Sequence, residues 1–310
     1  MTPARPAVQA SAATLATLKA SLDRLYEAFN DADSTTDPIQ VVRRYRRPDD
    51  QEVVAFCAAG LAFGRVASVL ATTDALLEVM GRHPAAFVRR FDPDRHRGRM
   101  RELGHRWIRH DDLMALLWIM RQMLSEAGSL EACFLEGLAP DDPDVGSALD
   151  RFSRRARGYD LDAVYGRRVG GRRGVDYFFP EPRRGSACKR LNLFLRWMVR
   201  RDAVDLGLWQ GVSPSQLIVP LDTHIIRVGR CLRLTRYKSP GWRMAREITA
   251  SLRRLDPEDP VRYDFSMCHL GMMDACGFSR PQRDEQCPLR GVCRPGGRRH
   301  RVSAGPFARR

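Results

Sequence analysis

Hydrophobic residues recur three and four positions apart along most of the chain, the spacing that puts them on one face of an α-helix. Leu15, Leu18, Leu22, Leu25 and Tyr26 make such a face over Leu15–Phe29. Asp49-Asp50-Gln51-Glu52 heads an apolar run from Val53 to Leu70. Carboxylates favour the positive end of a helix dipole, so one helix is expected there. Asp111 to Ala127 reads as a buried helix, followed by a short one near Leu130–Leu138 and another over Ser147–Arg157, with Ser147 as its cap. Helices resume at Ala187–Arg201, Thr223–Leu232 and Gly241–Leu255. No stretch alternates as a half-buried strand would, and no segment repeats. The expected fold is therefore all-α, in two lobes joined through the loop Gly166-Arg167-Arg168-Val169-Gly170-Gly171-Arg172-Arg173-Gly174. The boundaries expected are a disordered start (1–12), a helical domain (13–265) holding a hairpin at about 176–201, and a basic, cysteine-containing tail (266–310).

Charge changes the picture. A hydrophobic fraction of 44% is ordinary, but a formal charge of +15 is not. Such an excess draws polyanions, nucleic acid above all and a membrane surface less so. A GC-rich genome would explain arginine in place of lysine, but not basic in excess of acidic. No segment approaches the roughly 20 apolar residues that span a bilayer. Residues 1–12 lack the apolar run of a signal peptide. A cytoplasmic, nucleoid-associated monomer is expected, with its eight cysteines reduced. Cys57, Cys133, Cys188 and Cys231 are scattered among apolar residues and read as core, whereas Cys268, Cys276, Cys287 and Cys293 bunch near the end.

Of the 52 lysines and arginines, only Lys19, Lys189 and Lys238 are lysines. A guanidinium stays protonated and cannot act as a nucleophile; an amine can once it loses its proton. Lys189 opens an apolar helix in Arg183-Arg184-Gly185-Ser186-Ala187-Cys188-Lys189-Arg190-Leu191-Asn192. A glycine turn feeding a helix start turns backbone N–H groups outward, toward a phosphate. Asp222, in Pro220-Leu221-Asp222-Thr223-His224-Ile225-Ile226-Arg227-Val228, precedes another helix and reads as its N-cap.

These two segments resemble the helix-hairpin-helix (HhH-GPD) DNA glycosylases, such as endonuclease III and the archaeal 8-oxoguanine glycosylases. Gly185-Ser186-Ala187-Cys188-Lys189 is similar to their Gly-x-Gly-x-Lys, and Leu221-Asp222-Thr223-His224-Ile225-Ile226-Arg227-Val228 to their Val-Asp-Thr-His-x-x-Arg-Val. Ala187 stands where the second hairpin glycine would be, and Arg183-Arg184 where Leu-Pro would be. The whole chain also resembles a bacterial family of conserved hypothetical proteins, through Asp37-Pro38-Ile39 and Gly185-Ser186-x-x-Lys189-Arg190-Leu191-Asn192.

The resemblance implies a two-lobed helical glycosylase-like fold and a base-excision-repair DNA glycosylase with AP-lyase activity. Its partner would be double-stranded DNA with a damaged base, oxidised guanine first among them. It implies Lys189 as nucleophile and Asp222 as the stabilising carboxylate. Phosphate would be held by Arg183, Arg184, Gly185, Ser186, Ala187 and Arg190, with Phe63 beside Arg65 as a wedge into the base stack. It also implies a [4Fe–4S] loop ending in Cys287 and Cys293, with Cys276 and Cys268 completing four thiolates; zinc or no metal are the other readings. A glycosylase without lyase activity and a non-catalytic DNA-binding module are the competing functions.

Overall fold

The computed structural model describes residues 5–7, 11–31, 37–166, 173–272 and 287–293. Among them lie fifteen α-helices and no strand, in agreement with the all-α expectation. The first eight are α1 (Ala12–Phe29), α2 (Ile39–Arg43), α3 (Pro48–Leu61), α4 (Val66–Met80), α5 (Pro84–Arg89), α6 (Pro93–Met100), α7 (His110–Ala127) and α8 (Leu130–Leu135). They are followed by α9 (Gly146–Gly158), α10 (Asp162–Tyr165), α11 (Arg173–Phe178), α12 (Lys189–Val199), α13 (Thr223–Cys231), α14 (Trp242–Arg253) and α15 (Asp264–Met272). None is long and apolar enough to cross a membrane.

At the centre is α3, buried on every side from Glu52 to Leu61, as a helix apolar all round must be. Proline opens it and Asp49 and Asp50 occupy its first turn. α12 packs on α3, α7 on α5 and α8, and α13 and α1 on α15. The buried apolar side chains form one continuous cluster from Leu18 to Leu289. Glu52, buried within α3, ties distant parts together by accepting from the Leu130 and Glu131 amides and the Trp209 indole.

Two local expectations are corrected. The run Val53–Leu70 is not one helix: the chain leaves the helix at Ala62 and starts α4 at Val66. Gly64 has φ +93°, a left-handed conformation that glycine adopts without steric cost. Ser147 is not a cap either. The N-cap is Val145, which makes no side-chain cap bond, and the Asp144 carboxylate just before it accepts from the Gly146 amide at 2.9 Å.

Candidate functional site

Between α11 and α12 the chain makes one 3-10 turn at Pro182–Arg184, then passes Gly185 in the left-handed region (φ +87°). The glycine at 185 meets a conformational need. The position of the missing second glycine is absorbed one residue later, because Cys188 takes φ +49°. A non-glycine residue held there costs on the order of 1–2 kcal/mol, and local bonds brace it. The Ser186 hydroxyl accepts from the Cys188 amide, the Cys188 thiol donates to the Pro180 carbonyl, and the Asn192 side chain donates to the Ala187 carbonyl. Burial pushes the Cys188 thiol up to about 12, so it stays a neutral donor. The Trp242 amide, at the start of α14, binds the Gly185 carbonyl at 3.1 Å and fixes the turn.

This arrangement narrows the phosphate-facing groups. The Gly185 amide donates to Pro182 O within the turn at 2.8 Å and is not available to a ligand. Arg183 and Arg184 are exposed, with buried Glu181 gathering them at 2.5 and 3.7 Å. Arg157 joins Glu181 at 3.2 Å, and with Arg154 these arginines line a cleft of about 630 Å³ beside the hairpin. Arg190 turns away from it. Its guanidinium lies 3.2 Å from the centre of the Tyr177 ring and donates to the Tyr177 carbonyl. Burial lowers its pKa to about 10.

Lys189 is the first residue of α12 and is half-buried, with no ion pair or side-chain hydrogen bond among the described residues. Asp222 caps α13 as expected, one oxygen accepting from the Ile225 amide at 2.8 Å. Its other oxygen accepts from the Cys268 thiol, on α15, at 3.2 Å. Burial and the Asp222 charge hold the Cys268 proton on sulfur, while the Lys189 ammonium acts on the same thiol in the opposite sense. Two residues 33 apart in sequence thus stand at two helix starts, Lys189 opening α12 and Asp222 capping α13.

A buried ionic cluster holds α12 from its other end. Arg196 binds Asp264, Asp205 and Asp37 at 2.7, 3.2 and 3.3 Å. Arg200 binds Asp259 and Asp202 at 2.8 and 2.9 Å and also Asp205. Asp37 also accepts from the Ile39 amide, which gives Asp37-Pro38-Ile39 its role: it starts α2 and supplies an α12 anchor. Five carboxylates surround two guanidiniums, so the acids outnumber the cations. Burial raises Asp205 to about 6 and Asp264 to about 7, the latter with help from the nearby Asp222 charge.

The remaining expected residues fall elsewhere. Phe63 and Arg65 stand in the break between α3 and α4; Phe63 is half-buried, its carbonyl bonded to the His105 ring at 2.7 Å, and Arg65 is exposed. His224 packs on α15, where a Cβ on Gly271 would come within 2.7 Å of it. Phe178 and Phe179 are core. Residues 167–172 and Cys276 lie outside the described residues. Of the four expected thiolates, Cys268 donates to the Asp222 carboxylate, and no group of three metal-binding side chains occurs among the described residues. A cleft of about 1040 Å³ between Leu135, Trp209, Ser213 and Arg253 is lined by neither Lys189 nor Asp222. Sequence reasoning missed Cys268 as the partner of Asp222, and the Arg196 cluster. Only an isolated apolar-flanked arginine in α12 hinted at the latter.

A helical protein with a lysine at one helix start and a carboxylate capping another is the class these observations define. The chain belongs to the family described as "Protein of unknown function (DUF2400)", which it matches over residues 37–273. No curated protein and no solved structure matches it significantly.

Proposed function

We propose that this protein is a base-excision DNA glycosylase with lyase activity, of the two-lobed helix-hairpin-helix kind, acting on oxidised guanine in duplex DNA. The observation that carries the reading is the pair of helix starts: Lys189, without an ion pair or side-chain hydrogen bond among the described residues, opens α12, and Asp222, held by the Ile225 amide and the Cys268 thiol, caps α13. The reading is further supported by the Gly185 turn with exposed Arg183 and Arg184, and by the net charge of +15.

The chemistry follows from what each group can do. A damaged base must leave the stack to be reached, and contacts to the backbone offset that cost. As the bond from C1′ to the base nitrogen breaks, its electron pair leaves with the base and positive charge grows at C1′. The Asp222 carboxylate, fixed by the Ile225 amide and the Cys268 thiol, stabilises that charge. The deprotonated Lys189 amine forms the new bond to C1′. Opening of the sugar gives an imine, and loss of a C2′ proton then expels the 3′ phosphate. Asp222 takes up the proton that the amine sheds. Any [4Fe–4S] cluster in the tail would be structural and outside these steps.

Borohydride trapping on duplexes carrying 8-oxoguanine or an abasic site tests the reading. Wild type should give a covalent adduct that K189Q lacks. Base release that survives in K189Q would establish a glycosylase without lyase activity. DNA binding with no base release from any lesion duplex would leave only a binding module.

A further inference from the structure

Trp107 is 44% exposed, the most exposed large apolar side chain among the described residues. It sits at the tip of a closed turn. His105 and Ile108 exchange both backbone hydrogen bonds, at 3.0 and 2.9 Å, and leave Arg106 and Trp107 as the two central residues. Arg106 pays for this shape with φ +56°, a left-handed conformation that a bulky residue seldom adopts. Such strain persists only where the surroundings hold it and is concentrated at sites of function. The surroundings here are explicit: the His105 ring is pinned between the Phe63 carbonyl at 2.7 Å and the Thr72 hydroxyl at 3.1 Å.

Behind the tip is an aromatic wall. The Trp107 ring meets Tyr177 edge-on at 4.6 Å, and Phe63 meets Tyr177 at 4.8 Å. Tyr177 is the ring covered by the Arg190 guanidinium, so the wall is joined to the residue that follows Lys189. Around it Arg65, Arg106 and Arg109 are exposed and carry no ion pair among the described residues. A flat exposed ring among unpaired guanidiniums suits a nucleic acid strand. The ring stacks on a base and the cations take the neighbouring phosphates, without regard to sequence.

We propose that the Arg106–Trp107 turn is the element that enters the DNA base stack, with Trp107 stacked on a base and Arg65 and Arg106 on flanking phosphates. The proposal rests on the DNA-glycosylase reading. It replaces Phe63, half-buried and held at its carbonyl, as the residue that fills the stack.

The test uses the full chain and two duplexes, one intact and one carrying a tetrahydrofuran residue that leaves a gap in the stack. Fluorescence anisotropy gives both affinities for wild type, W107F, W107A and an R183A/R184A variant, and thermal denaturation confirms that each is folded. W107A should bind the gapped duplex at least about tenfold more weakly, with little change on intact DNA, while W107F stays within about threefold of wild type. R183A/R184A should weaken both duplexes alike. A folded W107A that keeps wild-type affinity for the gapped duplex, or loses affinity equally for both, overturns the proposal but leaves the Lys189 chemistry standing. A wild type that binds neither duplex sinks both together.

Discussion

The two ends of α12 are made of the same kind of material and treated in opposite ways. At its C-terminal half Arg196 and Arg200, both buried, are each held by three aspartates. At its first turn Lys189 is half-buried and holds no ion pair or side-chain hydrogen bond among the described residues, while Asp222 and Cys268 pair with each other. A cation used for architecture is saturated with carboxylates. In the proposed function Lys189 is the cation left for chemistry, at the opposite end of α12 from the Arg196 network.

The largest effect should come from breaking the anchored end. R196M leaves Asp37 and Asp264 buried without their guanidinium, and Asp205 with Arg200 alone. Removing one partner of a buried ionic group costs about 3–5 kcal/mol, read as a lower urea midpoint at unchanged slope. D222N sharpens the comparison from the open end. Asparagine still caps α13, so stability should hold while base release falls by roughly 10²- to 10⁴-fold in single-turnover kinetics. If D222N instead unfolds like R196M, Asp222 belongs with the architecture.

A smaller effect separates Cys268 from the core cysteines. C268A removes the donor to Asp222, a loss of about 1 kcal/mol or roughly fivefold in rate, whereas C268S keeps a donor and should stay near wild type. Equal loss in both would mean that Cys268 only fills space. The smallest expected effect is on pH dependence. Asp205 and Asp264 bind protons more tightly in the folded than in the unfolded chain. Their contribution is complete below the ordinary carboxylate range and is lost as pH rises through about 6 and about 7. The urea midpoint should therefore fall between pH 5.5 and pH 8, and D264N should flatten that fall. An unchanged or rising midpoint in wild type would show these carboxylates to be ionised in the fold.

What the chain disclosed was what depends on neighbours in sequence. The starts of α12 and α13 were legible because Gly185 and Asp222 act on residues within four positions of themselves. The break after α3 was not, because Ala62, Phe63 and Val66 continue an apolar pattern and only the backbone at Gly64 reveals it. Arg190 read as a phosphate contact because exposed arginine is the usual case. Tyr177, thirteen residues earlier, turns it inward. The thiol of Cys268 reaches Asp222 across 46 residues, and Arg196 reaches Asp37 across 159, contacts that no local pattern encodes. Trp107 stood in a polar stretch, where an isolated tryptophan was a usable signal.

The central claim is that the unpartnered amine at the head of α12 is the nucleophile. The most direct measurement is mass mapping of the borohydride-reduced adduct between the full chain and abasic-site DNA. With only three lysines in the chain, the answer is nearly digital. The account predicts the sugar remnant on the peptide containing Lys189. A remnant on Lys19, Lys238 or the N-terminal amine, with Lys189 unmodified, would contradict it.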